Sequence, residues 1–218
     1  IAANAGEYNI LDFGAVRNTL STAAVQRAID TCFNHGGGTV IVPDGIFITG
    51  TIILKSNINL FLTPGSELRS SENLDDFRIG TGRYGMIFCQ DASDVSITGE
   101  GVINGMGSSF YETDQNHVYP EFDKKFTRQK EGYMPEGMFF TDGPLKRKTS
   151  PWMTIVFFHC NRISVRDITV KDTPIWAIRF GYCEDVVVDG ITILNNLMIP
   201  NNDGIHITVS RNVRISDC

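Results

Sequence analysis

From Thr39 onward the chain alternates apolar and polar residues in short runs, each closed by turn formers. Thr39-Val40-Ile41-Val42, Ile46-Phe47-Ile48, Thr51-Ile52-Ile53-Leu54 and Ile58-Asn59-Leu60-Phe61-Leu62 carry the period-two pattern of short strands. Pro43-Asp44-Gly45, Gly50, Ser56-Asn57 and Thr63-Pro64-Gly65 punctuate them. Upstream, Tyr8 to Ala15 reads as a short strand running into a glycine turn. One helical period follows: Ala24, Val25, Ala28, Ile29 and Cys32 share a face. Thr19 or Ser21 is placed to cap its start, and Gly36-Gly37-Gly38 to end it. A lone amphipathic helix before a long β region suits one task, covering the open end of a repeat stack.

The β region aligns on itself. The first apolar residue of each unit is Ile58, Val95, Ile163, Val186 and Val213, and the residue before it is polar: Asn57, Asp94, Arg162, Asp185 and Asn212. Three positions before it, the last four units carry a small residue: Ala92, Cys160, Cys183 and Ser210. The spacing is 23 residues from Ile163 to Val186 and 27 from Val186 to Val213. Periods of this size indicate a solenoid. The L-x-x-L-x-L pattern of leucine-rich repeats is absent, whereas short strands joined by turns fit a parallel β-helix. The expected fold is therefore all-β, a right-handed parallel β-helix with an N-terminal capping α-helix, and residues 1–218 are expected to be a single β-helix domain, the N-terminal portion of a longer one. Ile163, Ile168, Val186, Val188, Ile191, Ile193, Ile205, Ile207, Val213 and Ile215 are expected in one stacked core.

Residues 106–150 break the period. This insertion holds Phe110, Tyr111, Tyr119, Phe122, Phe126, Tyr133, Phe139 and Phe140. It also holds two basic clusters, Lys124-Lys125 with Arg128 and Lys130, and Lys146-Arg147-Lys148. Such a loop reads either as one wall of a sugar-binding cleft or as a self-packed loop with its charges in water. Trp152, just beyond it, is the tryptophan better placed for a sugar contact, and Trp176 is assigned to the core.

Composition narrows the partners. A net charge of −6 over 218 residues argues against general nucleic-acid binding. No apolar run reaches the length of a membrane helix, and no membrane partner is expected. Five cysteines without C-x-x-C spacing suggest free buried thiols, with neither a zinc site nor a disulfide framework. No metal or cofactor is expected. The opening Ile1-Ala2-Ala3-Asn4-Ala5-Gly6 reads as a mature end left after processing.

The candidate chemistry sits in Ile199-Pro200-Asn201-Asn202-Asp203-Gly204-Ile205-His206-Ile207, a polar loop that presents a carboxylate and drops into a strand. Flanked by one rung on each side, this stretch resembles the polygalacturonase-like glycoside hydrolases, whose N-x-D supplies a catalytic aspartate. Asp12-Phe13-Gly14-Ala15, the helix and Gly-Gly-Gly-Thr-Val resemble the opening of pectin-degrading β-helix proteins, an opening shared by phage tailspikes and some epimerases. The resemblance implies an inverting hydrolase of pectic oligo- or polysaccharide, secreted or periplasmic, with Asp203 on the water-activating side. It also marks Asn201, Asn202, His206 and Trp152 as candidate substrate-binding residues. Family members often carry Asp where His206 stands.

Hydrolysis needs two carboxyl groups, and the family places an Asp-Asp pair one rung after the N-x-D aspartate. Its G-D-D and G-H-G motifs have no match in Ile1 to Cys218, and no R-x-K follows Asp203. The expectation is that the natural protein continues past Cys218 with two adjacent aspartates soon after, and that residues 1–218 alone are inactive. Strict alternation would turn Asp203 toward the core with Ile205 and Ile207, so a bend at Asn202-Asp203-Gly204 has to expose it. His206 then faces outward. Two alternatives stay open: a non-catalytic polysaccharide-binding or adhesion module, and a calcium-dependent lyase, for which no acidic cluster is visible. The sequence leaves open homogalacturonan against rhamnogalacturonan, endo against exo cleavage, and the oligomeric state.

Overall fold

The computed structural model describes residues 6–79, 82–116 and 145–218. Three parallel sheets wrap the core as in a parallel β-helix. Sheet A has seven strands, at Gly6–Asn9, Gly38–Val42, Ile58–Leu62, Ser93–Gly99, Asn161–Arg166, Glu184–Asp189 and Arg211–Ser216. Sheet B has five, at Gly45–Thr49, Ser66–Ser70, Val102–Asn104, Thr169–Lys171 and Thr192–Leu194. Sheet C has five, at Ile52–Leu54, Ile87–Gln90, Ile155–Phe158, Ile178–Gly181 and Ile205–Thr208.

The rung alignment read from sequence is the register of sheet A. Val95 pairs with Ile163, Ile163 with Val186, and Val186 with Val213. The polar residue before each apolar position has a structural task. Asn57, Asp94, Arg162, Asp185 and Asn212 all adopt left-handed backbone, with φ between 53° and 62°. Each bends the backbone at the entry to its sheet A strand, just after the chain has come over from sheet C, and Asn and Asp tolerate this conformation best among residues with a side chain. Arg162 is the exception in type, and it is held by Asp94 of the preceding rung at 2.6 Å. The connections from A to B and from C to A are two or three residues long throughout. Length varies only from B to C, where the connections are 50–51, 71–86, 105–154, 172–177 and 195–204.

Inward side chains stack like on like. Ile52, Ile87, Ile155 and Ile178 form one buried column, and Phe157 stacks on Phe180 with ring centroids 5.3 Å apart. Ile163, Ile168, Val186, Val188 and Ile191 are buried as expected. Ile193, Ile205 and Val213 are partly buried, while Ile207 and Ile215 are each 43 % exposed. These belong to the outermost rung described, so only one side of each side chain meets a neighbouring rung.

The helix spans Thr22–Asn34 and buries Ala24, Val25, Ala28, Ile29 and Cys32 against the stack. Ser21 holds the N-cap position without capping, because its hydroxyl bonds Val16 instead. Past the helix, a Cβ on Gly37 would come within 2.4 Å of Asn57, so only glycine lets the chain pass the corner of the next rung. Ile10–Phe13, expected to extend the first strand, forms a 3-10 turn begun by the Asn9 side chain accepting from Leu11 N.

All five cysteines are free. Four are buried as expected; Cys218 is exposed, again on the outermost rung. Cys160 and Cys89 have Sγ atoms 3.7 Å apart. Burial pushes the Cys32 thiol up to about 11, and these thiols act as small apolar packing groups.

Two substitutions test this account. Phe157→Ala should destabilise by about 3–5 kcal/mol in denaturant titration, the range for emptying an aromatic site in a packed core. At the exposed corner, Asp185→Val should be about 1–2 kcal/mol less stable than Asp185→Gly, the cost of left-handed backbone for a bulky side chain. Equal stability of the two corner variants would remove the left-handed corner as a constraint.

Candidate active site

The site lies on the outer face of sheet C and the B-to-C connections that feed it. Ile178 pairs with Ile205 and Phe180 with Ile207 on the inward side, which places Arg179 beside His206 on the outward side. The His206 ring stacks on Trp176, with centroids 3.5 Å apart and planes 14° from parallel. Arg179 Cζ lies 5.6 Å from the ring centroids of both Trp152 and Trp176. Asp203 Oδ2 stands 3.5 Å from His206 Nδ1.

Asp203 is exposed because the strand begins only at Ile205. Its backbone still joins the ladder: Ala177 N donates to Asp203 O at 2.8 Å, and Ile178 N donates to Gly204 O at 3.0 Å. The bend required by the alternation argument is present, and the carboxylate side chain is 49 % exposed.

The two asparagines part company. Asn201 is exposed in left-handed backbone at the turn. Asn202 is braced inside: its Oδ1 accepts from the buried Thr173 hydroxyl at 2.8 Å, and its Nδ2 donates to Asn196 O at 2.8 Å. Its amide therefore fixes the loop that carries Asp203. Trp152 is 39 % exposed and borders an open cavity of roughly 370 Å³ with Arg147, Ser150, Pro151 and Ile175.

The described ends of the 106–150 segment pack on the loop that leads to Asp203. Phe110, Tyr111, Leu145 and Ile199 form a small apolar cluster of their own. Leu145 N donates to Met198 O at 2.8 Å, and Arg147 donates to Tyr111 Oη at 2.8 Å and to Pro200 O at 3.5 Å. The Tyr111 hydroxyl donates to Pro174 O at 2.8 Å, and burial pushes its ionisation up. Tyr119, Phe122, Phe126, Tyr133, Phe139, Phe140, Lys124, Lys125, Arg128 and Lys130 lie outside the described residues.

Two residues of this cluster were misplaced or missed by sequence reasoning. Trp176, assigned to the core, is half-buried at the site, because Ile175-Trp176 still belongs to the connection and not to the strand. Arg179 drew no notice. The signal for it was available: aligning Ile178-Arg179-Phe180 on Ile205-His206-Ile207 puts Arg179 next to His206. Among the described residues no group of three His, Cys, Asp or Glu side chains is arranged to hold a metal ion.

Comparison with known proteins places this geometry in context. Residues 137–218 match the glycosyl hydrolases family 28. The chain is 28 % identical over 238 residues to a probable polygalacturonase of Vitis vinifera, covering 100 % of this chain and 43 % of that protein. It is 25 % identical over 240 residues to an exo-poly-alpha-D-galacturonosidase of Dickeya chrysanthemi, covering 95 % of this chain and 39 % of that one. The chain thus spans about two fifths of the length of these curated relatives. Among solved structures, a hyperthermoactive exopolygalacturonase from Thermotoga maritima superposes with a TM-score of 0.69 at 26 % identity, over 97 % of this chain and 54 % of that one.

The bracing role of Asn202 predicts a defined loss. Asn202→Ala should lower stability by about 1–2 kcal/mol, the scale for removing a buried side chain's hydrogen bonds. Thermal unfolding of the variant beside the parent checks this, and an unchanged midpoint would mean that the loop is held by other contacts.

Proposed function

We propose, on the footing that this chain is part of the polygalacturonase-type family 28 of glycosyl hydrolases, that it carries the water-activating half of a hydrolytic site for pectic polysaccharide. The observation that carries this reading is Asp203: an exposed carboxylate on a clamped loop, 3.5 Å from His206, whose ring stacks on Trp176. The names of the relatives, polygalacturonase and exo-poly-alpha-D-galacturonosidase, support the pectic substrate class.

Hydrolysis with inversion sends a water molecule to the anomeric carbon from the face opposite the leaving sugar. Asp203 takes a proton from that water as its oxygen bonds carbon, and the bond to the leaving oxygen breaks. A second carboxylic acid gives the leaving oxygen its proton; this proposal assigns Asp203 the water side only. Three features suit that task. The backbone ladder and Asn202 fix the carboxylate's position, so little reorganisation is needed at the moment of reaction. His206, held by its stack on Trp176, limits the rotation of the carboxylate. Trp152 and Asn201 remain exposed to meet sugar, while Asn202 contributes by positioning.

In the full-length protein, Asp203→Asn should lower kcat on polygalacturonate by at least about a hundredfold, the lower range for losing general-base help. KM should change little, because the lost interaction belongs to the transition state. Release of reducing ends measures the rate, and the anomeric configuration of the first product reports inversion. Unimpaired turnover by the variant would overturn the role of Asp203, and no hydrolysis by the full-length parent would favour the binding-module reading instead.

A further inference from the structure

Among the described residues no carboxylate pairs with Arg179. Elsewhere on the solenoid surface, arginines meet carboxylates of adjacent rungs: Arg162 with Asp94 at 2.6 Å, Arg166 with Asp189 at 2.8 Å, and Arg211 with Glu184 at 2.6 Å. Arg179 makes no such pair among the described residues. Its neighbours are the faces of Trp152 and Trp176, which attract a cation but cannot accept a strong hydrogen bond from it. Its Nε is enclosed and has no hydrogen-bond partner. With Nε unpaired, a half-buried guanidinium is costly unless its terminal nitrogens find an acceptor. Arg147, the other arginine of this region, is already bonded to Tyr111 and Pro200.

We propose that Arg179 binds the carboxylate of an acidic sugar residue, held between Trp152 and Trp176 and one rung from Asp203. Three physical points favour this ligand. The indoles fix the guanidinium plane, and a planar fork of N–H donors matches a carboxylate in two parallel bonds. With Nε enclosed, the terminal nitrogens are the donors that meet the ligand. The pairing of Arg179 with His206 sets the anion site one strand spacing, about 4.8 Å, from the rung that carries Asp203. Finally, a chain of net charge −6 needs a local cation to receive a polyanion. This inference deepens the hydrolase reading and rests on it for the sugar, but the anion site itself stands on Arg179 and its indoles.

The two tryptophans in the sequence are Trp152 and Trp176, so intrinsic fluorescence reports from this site. The probes are trigalacturonate and its fully methyl-esterified form, rapidly mixed with protein carrying Asp203→Asn, alone and combined with Arg179→Gln or Arg179→Lys. In the parent, trigalacturonate should bind at least about tenfold more tightly than the ester, the scale of a charge-assisted pair. Arg179→Gln should weaken trigalacturonate by about tenfold to a hundredfold and leave the ester unchanged, and Arg179→Lys should fall between. A melting midpoint near that of the parent certifies that each variant is folded. Equal losses for acid and ester would make Arg179 a structural residue and overturn the proposal, as would a parent that does not distinguish the two. Charge-selective binding that depends on Arg179 supports the anion site even if the full-length protein with Asp203 intact hydrolyses nothing; that result would count against the hydrolase reading alone.

Discussion

Every feature of this molecule depends on one constraint: each rung must bring the backbone back into hydrogen-bonding register with the rung before it. Parallel pairing supplies regular but slanted bonds and no local hairpin to set them. The register is therefore held by the corners and by the packing inside. The left-handed residues at Asn57, Asp94, Arg162, Asp185 and Asn212 bend the backbone at the entry to each described sheet A strand from Ile58–Leu62 onward. The columns of Ile and Phe then penalise any slip, since a shift by one residue would turn the apolar set outward.

That regularity explains what was legible in the sequence. Polar-then-apolar pairs at Arg162-Ile163 and Asp185-Val186 reveal both the period and the register, because the same steric demand recurs on every rung. The amphipathic face from Ala24 to Cys32 was legible for a similar reason, being a local pattern with a local period. What the period does not govern was harder. Trp176 and Asp203 sit in connections whose lengths differ from rung to rung, so alternation gives the wrong face for one and needs a bend for the other. Ile207 and Ile215 have the sequence of core residues, yet their exposure depends on neighbours and not on pattern. Arg179 was hidden differently: its position follows from register, but that it meets two indoles and, among the described residues, pairs with no carboxylate is visible only in three dimensions.

The site combines two kinds of order. Asp203 is fixed through its backbone and through the amide of Asn202, both of which belong to the scaffold. Its surroundings, His206 on Trp176 and Arg179 between two indoles, are fixed by flat rings in contact. Rings lose little rotational freedom when they meet a sugar, so the face that would receive a ligand is already in its working shape.

The uneven lengths of the connections have a wider consequence. Two corners of the solenoid are nearly invariant, while the third ranges from the pair 50–51 to the long stretch 105–154 without disturbing the strands it joins. Loop closure grows only slowly more costly with length, so an added or removed stretch at this corner is a local edit. The scaffold thus behaves like a rack with interchangeable parts along a single edge. Insertions and deletions there can change the reach and charge of the outer face of sheet C while the packed core keeps its register.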